Sequence, residues 1–307
     1  MFVVCGEALF DVFSAGDTPT GMAMDARVGG SPFNVAVGLA RLAQPVCFLS
    51  QVSQGFLGER LMKTLQAEGV NTTTVQRSEA PTTLSLIGLD TKGVPSYSFY
   101  GEGCADRLLT PDALATLPDG VRAINFGSFA TVVGPTSVTQ RMLVEREYQR
   151  TLIAYDPNIR LNVEPDLEVW RDQIEWMLPH TQLLKVSEED LQLVMPGITR
   201  AAFAAGALAK GVKLVVVTRG GDGAEAWNAQ GAVSVPPVKV TVIDTVGAGD
   251  TFQAALLTWL AERDAVSGAG LAALSADAVR DALGFAARAA AITCSRRGAD
   301  MPRRAEL

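Results

Sequence analysis

Short apolar runs alternate along this chain with segments of helical character, and this alternation constrains the fold more than any other feature. The runs Phe2–Cys5 and Val46–Val52 have strand length, whereas Val35–Leu42 and Gly58–Glu68 have the length and composition of helices. Strands separated by helices lie parallel in one sheet, because the helix carries the chain back to the edge where the next strand begins. We therefore predict an α/β fold with a doubly wound, mostly parallel sheet.

Composition and charge narrow the possible functions. The 307 residues are 48% hydrophobic, enough for one large domain over residues 1–307 with or without a small appendage. The net charge of −7 comes from 26 basic and 33 acidic residues without a basic run, which argues against nucleic acid or an anionic membrane as the main partner. The single histidine, His180, excludes multi-histidine metal sites.

Cysteine spacing and the N-terminus indicate the compartment. The four cysteines form no Cys-x-x-Cys pair, so we expect reduced, mostly buried thiols. The first residues lack the basic segment and apolar core of a signal peptide, and no apolar run is long enough to cross a bilayer. We therefore predict a cytoplasmic protein.

The stretch Val242–Phe252 has the pattern of a strand that leads through a glycine-rich turn into an apolar helix. Gly247, Ala248 and Gly249 have little or no side chain, so their amides can approach a ligand closely, and the N-terminus of a helix favours anions such as phosphate. Asp250 either caps the helix or accepts a proton from a group that attacks the phosphate.

The sequence Asp-Thr-Val-Gly-Ala-Gly-Asp-Thr-Phe of this stretch closely resembles the C-terminal signature of the ribokinase family, also called the PfkB-type carbohydrate kinases. The resemblance implies that Gly247, Ala248 and Gly249 form the anion hole for the γ-phosphoryl group of ATP. It also implies that Asp250 is the catalytic base, that Mg²⁺ accompanies the nucleotide, and that Asp244 helps bind a monovalent cation such as K⁺.

A second glycine-rich segment, Gly29-Gly30-Ser31-Pro32-Phe33-Asn34, leads into a predicted buried helix. By itself it fits either a tight turn or a site where backbone and a carboxamide bind a small polar ligand. Resemblance to the same family implies that Gly29, Gly30 and Asn34 bind the sugar together with Asp11.

Two strand-like runs, Thr82–Leu89 and Pro95–Tyr100, are joined by Asp90–Gly93 and predict a β-hairpin that interrupts the alternation. Such a hairpin is an addition to the edge of the sheet, a lid over the site, or a dimer contact.

The family resemblance favours a small β lid inserted at about 12–28 and 82–104. It implies that Tyr97 and Phe99 contact the sugar, and a homodimer formed through the lid is a further expectation.

Asp156-Pro157-Asn158-Ile159-Arg160 follows a predicted strand, at the edge where open parallel sheets bind ligands, although Asp-Pro-Asn also makes a good turn. Resemblance to the fructokinase-like branch makes Arg160 a candidate sugar or phosphate contact.

Ser187 with Asp190 three residues later predicts a capped helix start. Many members of the family have Asn-x-x-Glu at this place, linked to magnesium and phosphate, whereas this chain has Ser187 and Asp190 at the two named positions. The resemblance makes Asp190, or Glu189 through water, a candidate Mg²⁺ contact. We also expect Lys185 to contact a phosphate of ATP.

The run Val212–Gly223 has the pattern of a buried strand that enters a glycine-rich turn. The turn alone explains the glycines. The family resemblance implies in addition that Thr218, Gly220 and Gly223 bind ATP.

Among members of the family the chain is most similar to fructokinases, on the segments Gly6–Asp11, Phe99–Asp106 and Asp156–Arg160. Gly101 departs from the arginine that fructokinase-type relatives often carry after Phe-Tyr. The resemblance therefore implies a kinase that uses ATP to phosphorylate D-fructose, with 2-keto-3-deoxygluconate kinase, ribokinase and nucleoside kinase as alternatives.

Two readings from other classes stay open. A dinucleotide-dependent oxidoreductase requires Gly-x-Gly-x-x-Gly after the first strand, which Gly6-Glu7-Ala8 does not supply. A sugar sensor on a kinase scaffold requires the loss of the base or of the anion hole, and both are present in the sequence.

Overall fold

The strands form a large and a small sheet in the part of the chain that the computed structural model describes, residues 1–89 and 95–307 without the side chains of residues 89 and 95–97. The predicted turn Asp90–Gly93 and the side chain of Tyr97 lie outside the described residues. In chain order the strands are β1 (Phe2–Cys5), β2 (Leu9–Thr18), β3 (Gly21–Gly29), β4 (Val46–Ser53), β5 (Val75–Ser78), β6 (Leu84–Leu89), β7 (Pro95–Tyr100), β8 (Ala123–Gly127), β9 (Leu152–Asp156), β10 (Leu183–Ser187), β11 (Leu214–Thr218), β12 (Ala224–Asn228) and β13 (Gly231–Val235).

Within these residues the large sheet has nine strands in the order β13-β12-β11-β10-β9-β8-β1-β4-β5. Neighbours from β11 to β5 pair in parallel, and only β12 and β13 return antiparallel at one edge. Because these strands are parallel, their carboxyl ends meet at one edge of the sheet. The order runs outwards in both directions from the β1–β8 pair, and open α/β sheets bind ligands at such a switch point. The predicted doubly wound, mostly parallel sheet is confirmed.

Helices cover both faces of the large sheet. They are α1 (Ser31–Arg41), α2 (Phe56–Ala67), α3 (Thr136–Glu147), α4 (Leu167–Met177), α5 (Glu188–Val194), α6 (Arg200–Ala209), α7 (Ala248–Ala261), α8 (Gly268–Ala273) and α9 (Ala276–Cys294). In β1, Phe2 and Val4 pack into one apolar cluster with α1, α7 and α9, whereas Val3 and Cys5 pack into the other with α3 and α4. A strand buried on both faces has a continuous apolar sequence, as β1 has.

The small sheet has the order β3-β2-β6-β7. β2 pairs antiparallel with β3 and parallel with β6, and β6 and β7 form the predicted antiparallel hairpin. The chain thus brings the segments after β1 and before β8 together, where the sequence predicts a lid.

A side-chain cap explains where α5 begins. The Ser187 hydroxyl accepts a hydrogen bond from the amide of Asp190 at 3.0 Å, as the sequence predicts for a capped helix start.

The prediction of a strand at Val242 is wrong: residues 236–246 are irregular, and the amides of Ile243 and Asp244 donate to the carbonyl of Cys294 at the end of α9. In the described part of the chain, no helix combines the length and apolar character needed to cross a bilayer.

Candidate active site

Asp250 lies in the first turn of α7 and is buried, with 7% of the residue exposed. The Ser31 hydroxyl donates to one of its carboxylate oxygens at 2.6 Å, and the Asn34 carboxamide donates to the other at 2.8 Å. Burial raises the pKa of Asp250, and the hydrogen bonds from Ser31 and Asn34 oppose that rise because they favour the ionised form. The carboxylate is therefore held in one orientation at the start of a helix.

The turn before Asp250 requires a glycine at one position. Gly247 has a left-handed backbone with φ of 76°, and a Cβ there would lie 2.5 Å from the Cβ of Ala299. The Ala248 amide donates to the carbonyl of Thr245 at 3.2 Å, whereas the amides of Gly247, Gly249 and Asp250 have no acceptor among the described residues. Unpaired amides at a helix N-terminus form an anion-binding site.

A cavity of about 770 Å³ opens between this turn, the edge of the large sheet and the small sheet. It brings together many of the residues that the sequence predicts: Asp11, Gly30, Asn34, Phe99, Arg160, Asp244, Gly247, Gly249 and Asp250. The predicted Gly29 lies just outside the wall, where a Cβ would come within 2.4 Å of an Asp11 carboxylate oxygen.

Most of the charged side chains that line the cavity are acidic. Burial raises the pKa of Asp11 to about 6, against a hydrogen bond from Ser85 and the nearby charge of Arg160. Burial raises the pKa of Glu7 to about 8. Among the described residues that line the cavity, Arg160 is the only one with a basic side chain, and its charge lowers the pKa of each of these acids.

Sequence reasoning missed Glu7 and Ser31 as parts of this site. Glu7 lines the cavity with 1% of the residue exposed, and one of its carboxylate oxygens accepts the Ser31 amide at 3.3 Å. Glu7 directly follows a buried strand, and Ser31 follows a glycine pair. Their positions therefore offered a signal, since polar residues at such places often bind ligands.

Lys185 and Asp190 lie beneath the site and do not line the cavity. The Lys185 ammonium forms a buried ion pair with Asp156 at 2.5 Å, and a Cβ on Gly249 would be 3.5 Å from its nitrogen. Asp190 accepts the amide of Ile159 at 3.2 Å, which holds the segment that carries Arg160. Burial and the negative charge of Asp156 raise the pKa of Asp190.

The turn with Thr218, Gly220 and Gly223 follows β11 and is separate from the cavity. Gly223 has φ of 89°, and a Cβ there would lie 2.2 Å from the carbonyl oxygen of Val235, so packing in the sheet explains this glycine. The prediction that the turn binds ATP stays a prediction.

The carboxylate of Asp244 accepts hydrogen bonds from backbone amides of two separate segments. Its oxygens accept the amide of Val246 at 3.1 Å and the amide of Gly298 at 2.8 Å. In the described part of the chain, no three histidine, cysteine, aspartate or glutamate side chains converge in a way that could hold a metal ion. The predictions that Asp190 contacts Mg²⁺ and that Asp244 helps bind a monovalent cation stay predictions.

Several known proteins are similar to this chain in sequence and in fold. A profile of the pfkB family carbohydrate kinases matches residues 1–305. A fructokinase from Rhizobium leguminosarum bv. trifolii is 34% identical over 281 residues, which cover 92% of this chain and 86% of that protein. The crystal structure of a fructokinase with bound ATP from Xylella fastidiosa has a TM-score of 0.89 at 24% identity, over 99% of this chain and 96% of that one.

A crystal structure of an uncharacterized sugar kinase from Pyrococcus horikoshii in complex with ATP has a TM-score of 0.78 at 27% identity, over 100% of this chain and 97% of that one. The match to the family thus extends over both sheets and both glycine-rich segments. The chain belongs to the PfkB family of carbohydrate kinases.

Proposed function

We propose that this protein is a fructokinase that transfers the γ-phosphoryl group of ATP to a hydroxyl group of D-fructose. The observation that carries the proposal is the position of Asp250, which faces the cavity beside the unpaired amides of Gly247 and Gly249. A proton acceptor next to an anion site is what phosphoryl transfer to an alcohol requires. The similarity to fructokinases supports fructose as the acceptor.

In this mechanism Asp250 accepts the proton of the sugar hydroxyl while the hydroxyl oxygen forms a bond to the γ-phosphorus and the bond from that phosphorus to the leaving ADP breaks. Ser31 and Asn34 hold the carboxylate in place during the transfer. The amides of the α7 N-terminus stabilise negative charge on the transferred group. Mg²⁺ bound to ATP would neutralise charge on the phosphate oxygens.

The charge of the cavity supports a neutral sugar over a sugar acid. Glu7, Asp11, Asp244 and Asp250 contribute carboxyl groups to the wall, against one guanidinium from Arg160. The carboxylate of 2-keto-3-deoxygluconate would meet several acids and one cation. The hydroxyls of a neutral sugar can donate to the ionised carboxylates and can accept from the carboxyl of Glu7, whose pKa burial raises to about 8.

The small sheet supports two further parts of the proposal, a lid over the sugar and a homodimer, and we propose that the protein works in the cytoplasm. Shielding matters because water would otherwise compete with the sugar as acceptor. The β3 side chains of Met22 and Met24 are 60% and 46% exposed, which leaves an apolar face for a second copy. We expect a dimer by light scattering and a shift towards monomer in Met24→Glu. A monomeric wild-type protein would remove this part of the proposal.

Asp250→Asn tests the chemistry. We expect turnover to fall at least ~10²-fold, the usual scale for a lost general base, with unchanged thermal unfolding and ATP binding. The assay is coupled ADP release from MgATP with D-fructose, 2-keto-3-deoxygluconate, ribose, glucose and adenosine. Asp264→Asn is the matched control, because the Asp264 side chain is 96% exposed and distant from the cavity wall.

Near-normal turnover in Asp250→Asn would refute the role of Asp250 as the base. Turnover with a sugar other than fructose would move the protein to another branch of the family. Binding of ATP and sugar in equilibrium dialysis without any ADP release would identify a sugar sensor.

A further inference from the structure

Two aromatic rings from different parts of the fold meet in the wall of the sugar cavity. Phe99 belongs to β7 of the small sheet, and Phe129 belongs to the short helix Phe129–Thr131 after β8 of the large sheet. Their ring centres are 5.3 Å apart, and their planes meet at 78°, an edge-to-face pair. Both rings line the cavity, so the distance between them sets the shape of this wall.

The guanidinium of Arg107 lies against both rings. Its central carbon is 5.3 Å from the centre of the Phe99 ring and 5.5 Å from the centre of the Phe129 ring, within the range of cation–π attraction. Arg107 itself does not line the cavity. One cation therefore contacts the small sheet and the large sheet at once, behind the surface that a sugar would touch.

The space that the guanidinium occupies exists because residue 101 is glycine. A Cβ on Gly101 would lie 2.5 Å from a terminal nitrogen of Arg107 and 2.5 Å from a ring carbon of Phe99. Contacts this short are not tolerated, so any side chain at this position would displace the guanidinium or the ring. Gly101 and Arg107 thus form a matched pair.

The backbone that carries Arg107 is held from both sides. The Thr83 hydroxyl donates to the carboxylate of the neighbouring Asp106 at 2.5 Å, and the Thr136 hydroxyl of α3 donates to the Asp106 carbonyl at 3.0 Å. Asp106 is buried, with 2% of the residue exposed. The backbone at Arg107 is therefore held in place, and the guanidinium can restrain the positions of both rings.

We propose that Arg107 is a positioning residue for the sugar, which holds Phe99 against Phe129 and so fixes the wall that the small sheet contributes to the cavity. The inference deepens the proposed function and rests on it. It assigns to Arg107 an effect on sugar affinity and selectivity and none on the proton transfer at Asp250, because Arg107 contacts neither Asp250 nor the anion site.

Steady-state kinetics of Arg107→Ala test the proposal, with the sugar varied at saturating MgATP and ATP varied at saturating sugar. We expect KM for the sugar to rise roughly tenfold, the scale of losing a guanidinium contact to two rings, while kcat and KM for ATP stay within about twofold. Arg107→Lys keeps the positive charge and should recover part of the affinity, whereas Arg107→Met keeps only the bulk and should not.

Arg263→Ala is the matched control. The Arg263 guanidinium carbon lies 4.0 Å from the centre of the Trp259 ring, and neither residue lines the cavity. Losing this cation–π contact should leave KM for the sugar unchanged. A general effect of arginine removal on stability would instead move both variants alike in thermal unfolding and in KM.

Gly101→Ala tests the same contact with Arg107 still present. The atoms it would meet are the ends of side chains, so the chain should fold with the guanidinium displaced, and KM for the sugar should rise. In the Arg107→Ala background the same glycine replacement should raise KM by a smaller factor, because the guanidinium is already gone.

An unchanged KM for the sugar in folded Arg107→Ala and Gly101→Ala would overturn the inference and leave the proposed function standing. Equal rises in KM for sugar and ATP, or full recovery by Arg107→Met, would also overturn it. Absence of turnover by the wild-type protein with every sugar would overturn the proposed function and, with it, this inference.

Discussion

Removal of the Ser31 hydroxyl gives a quantitative test of how the site controls Asp250, the proposed base. In Ser31→Ala the carboxylate of Asp250 loses the hydrogen bond that it accepts at 2.6 Å, while the one from Asn34 at 2.8 Å remains. The Ser31 amide, which donates to Glu7, is unaffected because it belongs to the backbone. The variant therefore changes one interaction of the ionised base.

The direction follows from the pKa of Asp250. Burial already raises that pKa, and the Ser31 hydrogen bond opposes the rise. Without the hydroxyl the pKa rises further, so a smaller fraction of Asp250 is ionised at a given pH and the acidic limb of kcat/KM moves to higher pH. A hydrogen bond to a charged group is worth about 1.5–3 kcal/mol, and one pH unit corresponds to about 1.4 kcal/mol. We therefore expect a displacement of at least about one pH unit.

Other charged groups face Asp250 and stay constant in the comparison. They are Asp11 from β2, Asp156 at the end of β9 and Arg160 after it. Burial raises the pKa of Asp11 to about 6 and that of Glu7 to about 8, so we expect more than one ionisation in the wild-type profile. Only the difference between variant and wild type measures the contribution of Ser31.

The assay is kcat/KM for the sugar from about pH 5 to 9, which reports the ionisations of the free enzyme. Ser31→Thr retains a hydroxyl and should keep the wild-type limb. Ser50→Ala is the matched control, because the buried Ser50 hydroxyl donates to the Gly6 carbonyl at 2.6 Å and does not line the cavity. An acidic limb that stays in place or moves to lower pH in Ser31→Ala would refute the reasoning.

Further predictions concern the turn and Glu7. Gly247→Ala should lower turnover at least ~10²-fold, because its Cβ would meet Ala299 and displace the amides of the anion site. Gly249→Ala, whose Cβ would only touch Lys185 at 3.5 Å, should lose less, and equal losses in assays of both variants would contradict the argument. Burial raises the pKa of Glu7 from 4.5 to about 8, so its ionisation weakens the fold as pH rises through this range. The free energy of unfolding of Glu7→Gln, measured in urea, should therefore rise relative to that of the wild type as the pH increases from 5 to 8. An equal difference between the two proteins at pH 5 and at pH 8 would contradict the raised pKa.

Local patterns predicted the fold well wherever one segment decides its own structure. The apolar runs and the helices between them depend on composition over a few residues, and so does the hairpin of β6 and β7. The predicted strand at Val242 shows the limit of this reasoning. Val242 and Ile243 are apolar and β-branched, yet they are 60% and 62% exposed, and no strand pairs with them in the part of the chain that the structure describes. A strand needs a neighbour, and local sequence does not specify one.

Contacts between distant segments explain what sequence reasoning missed at the site. Ser31 and Asp250 are separated by 219 positions, and no pattern within either segment indicates that they share a hydrogen bond. The relation of Gly101 to Arg107 was hidden for a different reason. A missing side chain is visible in the sequence, but the group that fills its place is visible only in three dimensions.

Burial of the site has two opposite effects on the proposed chemistry. A closed cavity excludes water, yet it also raises the pKa of Asp250, and a protonated carboxyl cannot accept the proton of a sugar hydroxyl. The chain offsets this with donors from α1, with the guanidinium of Arg160, and with the positive end of α7. These groups come from three separate segments, so the proton affinity of Asp250 depends on how these segments are assembled around it. The acidic limb of the kcat/KM profile therefore reports how these segments are arranged around Asp250 as well as which residue accepts the proton.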